Sequence, residues 1–318
     1  MLALGREWED FAKAAKATWV TSPDQIRFAA LKGVGSTSVR PVEFFEGGYD
    51  AAHKLGQGCL VQRSGGGSFL SGLQLRAGAS WRECMVAALR DSPAGTYVYG
   101  DRWSIEPSRA EDLATIPGVT VRDSHEIIVH AVNLADFRDW DAYYKGISTN
   151  VKRNIRKAEA TLPGMAILTW RGASAVVKMT NLLRLRRATL ERKGIPFRSL
   201  REALREYCRS MMSASNLVVS VASAGGRDLA FVQGYEYGDA FYYFQGGSVR
   251  ESNGASWTLL VESVKRLYDR APRGLYIMGY LDESAEAFAR EGLIRQRNSL
   301  RKRDYPTAIV VFDYRPAA

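Results

Sequence analysis

Cysteine and histidine are scarce, at three residues each in a chain of 318. Cys59, Cys84 and Cys208 are widely separated and odd in number, which argues against a disulfide framework, and none stands at zinc-ligand spacing. His53, His125 and His130 are equally scattered, so no metal cofactor is expected. His125 and His130 lie on one expected strand, and their odd separation turns them to opposite faces. Long apolar runs are missing as well: none approaches the roughly 18–20 residues that span a bilayer, so no transmembrane segment is expected. The opening MLALGREWEDFAKAAKATW lacks the basic-then-apolar layout of a secretory signal and reads as a short amphipathic helix. Together these absences favour a cytoplasmic protein. The run Gly65-Gly66-Gly67 has no Lys-Ser/Thr after it and sits between β-rich stretches. It therefore reads as a hairpin turn, not a phosphate loop.

What the chain has is enough length for two domains and a lopsided charge. Apolar residues make up 46% and charged residues 25%, the balance of a globular protein. The net charge of +10 is confined to one half: residues 1–144 carry a net −3 and residues 145–318 a net +13. A basic half calls for an anionic partner, whether a nucleotide cofactor, an acyl carrier protein, tRNA or a membrane surface.

In chain order, residues 6–17 read as a helix with Pro23 marking the turn after it, and residues 33–42 are Gly/Ser/Thr-rich without clear period. Residues 58–75 read as a hairpin, 81–89 as a helix, 96–99 as a strand, 107–113 as a helix and 125–132 as a strand. An aromatic helix start at 136–144 leads into ISTNVKRNIRKAEATL. Lys152, Arg153, Arg156 and Lys157 fall there on adjoining helix faces. They form either a solvated face or an electropositive ridge for phosphate, a carrier protein or RNA. A helix is expected over 174–193, with Leu182, Leu183, Leu185 and Leu190 inward and Arg192 among the outward arginines, and a second over 200–213. From Leu217 the pattern turns to three strands, a helix over 255–270, a strand over 274–280, a helix over 284–291 and a last strand over 308–314. That order makes an α+β domain with a mixed sheet.

The stretch from Leu229 to Arg270 organises the rest. Two β-rich runs joined at Gly238-Asp239 form a hairpin whose second strand leaves through Gly246 and Gly247 into a helix start near Ala255. Unpaired N–H groups and the helix dipole make such a junction a phosphate site. An ordinary hairpin followed by a helix fits the pattern equally.

Three features carry a resemblance: the basic helix NVKRNIRKAE after an aromatic segment, the strand FYYFQGGSV before a helix at GASWTLL, and the ending YIMGYLDESAEAFAREGLIRQRNSLRKRDYP. With them the chain resembles the GNAT acyltransferases, in their Fem-type and cellulose-biosynthesis-type acetyltransferase branch. The resemblance implies an α+β, GNAT-like mixed sheet flanked by helices. It implies two tandem GNAT-like domains: a degenerate one over 1–135 and an acyltransferase domain over 136–318. The family's coenzyme A loop, Gln/Arg-x-x-Gly-x-Gly/Ala, matches here as Arg250-Glu251-Ser252-Asn253-Gly254-Ala255, one residue off the standard spacing. The implied donor contacts are Gly247, Ser248, Val249, Arg250, Ser252, Asn253, Gly254, Ala255 and Ser256, with Glu251 facing away, and a Gly254→Glu substitution is expected to abolish donor binding in a folded protein.

The implied reaction is N-acyl transfer from acyl-CoA as co-substrate, or from an acyl carrier protein, to an amine of a lipid, envelope or secondary-metabolite precursor. Such a transfer needs a base for the amine, a donor for the oxyanion and an exit for the thiolate. Strand alternation places Phe241, Tyr243, Gln245 and Gly247 on one face, so Tyr243 and Gln245 are candidates for meeting the acceptor. Glu236 and Asp282 are candidate bases, and Arg297 and Arg301 candidate anion contacts. Two alternatives stand beside this reading: a Fem-type transfer from aminoacyl-tRNA, for which Lys152, Arg153, Arg156 and Lys157 would meet RNA, and a non-catalytic scaffold of the same fold. Peripheral membrane contact is compatible with the basic half.

Overall fold

The structure is a computed structural model that describes residues 4–32, 38–192, 194, 200–281 and 287–316. The chain forms two compact units, Met1–Val129 with Tyr305–Ala318, and His130–Asp304. The division falls after Val129, and residues 305–318 count with the first unit. Among the described residues no helix is long and apolar enough to cross a membrane.

The first unit runs α1 (Arg6–Ala14), α2 (Pro23–Lys32), β1 (Ser38–Phe45), β2 (Lys54–Arg63), β3 (Gly66–Leu75), α3 (Trp81–Arg90), β4 (Gly95–Tyr99), α4 (Ala110–Ala114) and β5 (Val119–Asn133). β1, β2 and β3 form an antiparallel meander, and the Gly65 region turns between β2 and β3 as the sequence predicts. β4 pairs parallel to β3 only over Gly66–Ser68, opposite Thr96–Val98. Beyond that point the strands part, and a side chain fills the gap. The Tyr99 hydroxyl accepts from the Leu73 N–H at 3.1 Å and from the Trp81 indole at 2.7 Å. Two elements are absent from the sequence reading. Pro23 opens α2 instead of ending a turn, because its missing N–H costs nothing at the first helical position. β1 is half-exposed along its length, so it carries no run of buried residues to betray it.

The second unit continues with α5 (Trp140–Gly146), α6 (Thr149–Thr161), β6 (Ala166–Arg171), α7 (Ala173–Arg192), α8 (Leu200–Met212), β7 (Leu217–Ala224), β8 (Arg227–Tyr237), β9 (Ala240–Ser248), α9 (Ala255–Arg270), β10 (Leu275–Tyr280), α10 (Ala287–Ser299) and β11 (Arg303–Tyr314), whose residues from Tyr305 on belong to the first unit. Its strand order is β10-β9-β8-β7-β6, with β9 and β10 parallel and the other pairs antiparallel. Each unit is thus a mixed α+β sheet flanked by helices, and each repeats one plan. An antiparallel meander is followed by a helix, a strand parallel to the meander's last strand, and another helix. β6, an edge strand with Leu168 exposed, was not legible in the sequence.

Local signals explain the helices that frame the second sheet. Ser148 caps α6 by accepting from the Val151 N–H, and Asp139 caps α5 through Ala142. α6 buries Val151, Ile155 and Ala158 against Leu259, Leu260, Val264 and Leu267 of α9, which cover one face of the sheet. α7 lies along the opposite face, and the Thr189 hydroxyl of α7 reaches the Ser248 backbone at the end of β9. Leu182 and Leu185 of α7 are buried as expected, whereas Leu183 points out to solvent at 51% exposure.

Candidate active site at the parting of β9 and β10

β9 and β10 pair over only three residues, Ala240–Tyr242 against Leu275–Ile277. From Tyr243 onward β9 has no partner on that side among the described residues, and a cleft of about 320 Å³ opens beside it. Its wall includes Tyr243, Gly246, Gly247 and Ser248 of β9, Thr189 and Arg192 of α7, Ser256 and Trp257 of α9, and Gln296 of α10. A smaller chamber of about 20 Å³, lined by Tyr276, Met278, Leu293, Arg297 and Leu300, shares Tyr243, Leu260 and Gln296 with the cleft.

A β-bulge decides which side chains face this space. The β8–β9 register slips between Gln233 and Gly234, so Gln233 sits opposite Gln245 and Gly234 opposite Tyr243, leaving Phe244 as the extra residue. Strict alternation therefore fails. Tyr243 packs toward α9 and the cleft. Gln245 turns to the other face, where it donates to Gln233, which in turn donates to the buried Ser210 hydroxyl at 3.2 Å. Gln245 is thus removed from the site that the sequence assigned to it, and Tyr243 remains.

Glu236 is also placed elsewhere. Its carboxylate pairs with Arg171 at 3.1 Å and lies 4.0 Å from Arg270, and its strand position is opposite Phe241. Phe241 lies two residues before Tyr243, but Glu236 is not part of the cleft wall, and its carboxylate is held by the two guanidiniums. Asp282 lies outside the described residues.

The junction after β9 is built as the sequence suggests in outline. A 3-10 turn over Arg250–Ser252 leads through Asn253 at φ +46° and Gly254 at φ +97° into α9. Gly254 provides no side-chain cap, and the N–H groups of Ala255 and Ser256 have no backbone partner among the described residues. Individual residues take different parts. Ser256 lines the cleft, and Ser248 is held by the Thr189 hydroxyl, which accepts its N–H at 2.7 Å, and by the Arg192 guanidinium, which donates to its carbonyl at 3.2 Å. Val249 bonds back to Leu229, and Ser252 and Ala255 are buried. Arg250 and Glu251 are exposed.

Gly254 has a packing task of its own: a Cβ there would stand 2.1 Å from the Asn154 carbonyl oxygen of α6. The Gly254→Glu substitution expected to spare the fold therefore strikes a backbone contact. That same contact anchors α6 beside the start of α9. Arg153, Arg156 and Lys157 are exposed, and neither they nor Lys152 makes an ion pair among the described residues. Lys152 instead donates to the Lys145 carbonyl, and Arg153 to the Asn150 side chain.

Titration is perturbed around Tyr243. Burial pushes its phenol up to about 12, against a smaller opposing pull from Arg297, so it is a hydrogen-bond donor across the physiological range. Arg297 is 6% exposed; it donates to the Met278 carbonyl at 2.7 Å and to His130 Nδ1 at 3.2 Å, and burial brings it down to about 10. Burial, then the charges of Arg297 and Lys302, lower His130 to about 4, so it is a neutral acceptor. Arg301 packs over the Phe137 ring. Among the described residues no group of three or more His, Cys, Asp or Glu is placed to hold a metal ion. Thr189 and Gln296 are cleft residues the sequence did not single out.

This arrangement, a parted pair of parallel strands beside a glycine-rich exit into a helix, agrees with a family model. Residues 146–288 match the acetyltransferase (GNAT) domain. No curated protein sequence matches the chain. Among solved structures, FemX has a TM-score of 0.74 at 11% identity, covering 98% of this chain and 96% of its own. A conserved protein of unknown function from Bacteroides thetaiotaomicron gives 0.59 at 10% identity, over 96% and 92% of the two chains. The C-terminal domain of a putative lysylphosphatidylglycerol synthetase from Agrobacterium fabrum gives 0.55 at 11%, over 98% and 93%. At such identities the likeness is one of fold, and the GNAT match covers the parting strands, the cleft walls from α7 and α9, and the basic helix α6.

Proposed function

We propose that the GNAT domain is an N-acyltransferase that moves an acyl group from acyl-CoA, or from an acyl carrier protein, to an amine of a lipid, envelope or secondary-metabolite precursor. The observation that carries this reading is the parting of β9 from β10 after Tyr242, with the cleft running from there to the glycine exit. A pantetheine arm laid against β9 would find unpaired strand-edge groups for its amides, and the donor's phosphates would find the N–H groups of Ala255 and Ser256. The amine nitrogen attacks the thioester carbonyl, a C–N bond forms, the C–S bond breaks, and the sulfur leaves as a thiolate that takes up a proton. The attacking amine gives up its proton to water or to a carboxylate, for which Asp282 is the proposed group. The Tyr243 phenol is placed to donate toward the oxyanion or the departing sulfur.

The first unit supports the assignment of donor binding to the second. Where β3 and β4 part in the same manner, Tyr99 and Trp81 occupy the gap, so we read the first unit as a degenerate copy. Thermal unfolding with free coenzyme A and its thioesters tests the proposal, since a ligand of the native state raises the midpoint. A rise with coenzyme A is expected; no rise with any thioester excludes acyl-CoA as the donor, and failure to cleave an acyl carrier protein's thioester as well overturns the proposal. A second reading, transfer from aminoacyl-tRNA, draws on the cations of α6, which make no ion pair among the described residues, and its test is tRNA binding that falls steeply with salt.

A further inference from the structure

We infer that the chamber behind Tyr243 receives a carboxylate of the substrate, with Arg297 as its counter-ion. The inference rests on the acyl-transfer reading and adds the chemical class of one reactant. Arg297 is a buried guanidinium, and no carboxylate pairs with it among the described residues. Its two named partners, the Met278 carbonyl and the His130 ring, are neutral. The ring is held neutral by its own burial and by Arg297 and Lys302, and it passes a contact on to Asp304, which lies 3.4 Å from Nε2. Asp304 is half-exposed and already paired with Lys302, so it offsets the buried charge only from a distance.

A buried cation without a close counter-ion is costly unless an anion arrives. The space to receive one is present: the chamber has room for about one water-sized group and adjoins the cleft. Two neutral donors stand at the shared wall, the Tyr243 phenol and the Gln296 amide, and neither has a hydrogen-bond partner among the described residues. One carboxylate oxygen fits the chamber, and the second faces the cleft. The remaining lining, Leu260, Met278, Leu293 and Leu300, excludes water and strengthens the pairing.

The carboxylate sits either on the acceptor amine or at the far end of the acyl group, and paired probes separate these sources. In one arm, thioester cleavage is followed with amino acids and their amides as acceptors. In the other, succinyl-CoA is compared with butyryl-CoA, which has the same carbon count and no second carboxylate. The carboxylated member is expected to win by at least tenfold in kcat/KM in one arm. Arg297→Gln should reduce that preference to below about threefold, and Arg297→Lys should keep most of it. Should the Arg297 variants fail to fold, Gln296→Leu and Tyr243→Phe each remove one neutral donor and are expected to lower the preference severalfold. Turnover with neutral pairs at equal or better rates in both arms overturns the inference and leaves acyl transfer standing. Absence of coenzyme A binding together with no cleavage of an acyl carrier protein's thioester overturns both.

Discussion

The contact between Gly254 and α6 makes a quantitative demand on stability. A methyl group at residue 254 would be placed 2.1 Å from the Asn154 carbonyl oxygen and 2.9 Å from its carbon, and the atoms it meets are backbone, which cannot rotate aside. The position also has φ +97°, where any side chain costs about 1–2 kcal/mol before contacts are counted. Forcing the helix to move adds about 1–3 kcal/mol, the usual cost of overpacking. Gly254→Ala should therefore destabilise the second unit by about 2–5 kcal/mol, a fall in Tm of about 5–15 °C for a unit of this size. Circular dichroism melts of Gly254→Ala against the parent protein make the measurement. Asn253→Gly is the control, since φ +46° at residue 253 suits glycine and its melt should stay within about 2 °C. A Gly254→Ala protein that melts with the parent would refute the reasoning, because α6 could then not lie against the junction as described.

His130 predicts a pH dependence. Its folded-state value of about 4 lies below the ordinary 6.5, so the neutral ring contributes stability that is complete above pH 6.5 and drains away as the pH falls toward 4. Urea unfolding at pH 7.5 and pH 5 should differ by about 2 kcal/mol from this residue, and His130→Asn should remove that part of the difference. Glu236→Gln should leave kcat/KM within about twofold, since the carboxylate is engaged by Arg171 and Arg270 and does not line the cleft; a hundredfold loss would restore it as a base. Replacing Lys152, Arg153, Arg156 and Lys157 together by Gln should weaken binding of a phosphate-bearing donor severalfold at low salt, with the difference shrinking as salt is added. Equal affinities at low salt would mark the four cations as a solvated face.

Much of the fold was legible because its signals are local. The meander β7–β8–β9, α9, β10 and α6 each announce themselves by period, cap or turn, and the glycine exit from β9 is visible as Gly246-Gly247. The site was legible only in part. Tyr243 does line the cleft, whereas Gln245 turns away from it, because a bulge at Phe244 has no sequence signature in a run of consecutive aromatics. Glu236 looked available until Arg171, on a strand the sequence concealed, claimed it. Thr189 and Gln296 reach the cleft from helices distant in the chain, and their positions follow from packing that no short window encodes. Gly254 stands out in the sequence only through the phosphate-loop resemblance; its clearance against Asn154 depends on α6, a hundred residues upstream.

The placement of β11 bears on how the molecule comes into being. In the first unit β11 lies between β4 and β5, pairing with β4 from Gly95 to Tyr99. On the ribosome, the strands on either side of that slot emerge well before its occupant, with the entire second unit translated between them. Until then the nascent first unit holds two unsatisfied strand edges, the kind of surface that chaperones shield and that mispairs between neighbouring chains. Nor can the molecule be divided for expression by a single cut: any fragment that ends with the second unit deprives the first unit of an inner strand, whereas joining residues 1–129 directly to 305–318 would restore it.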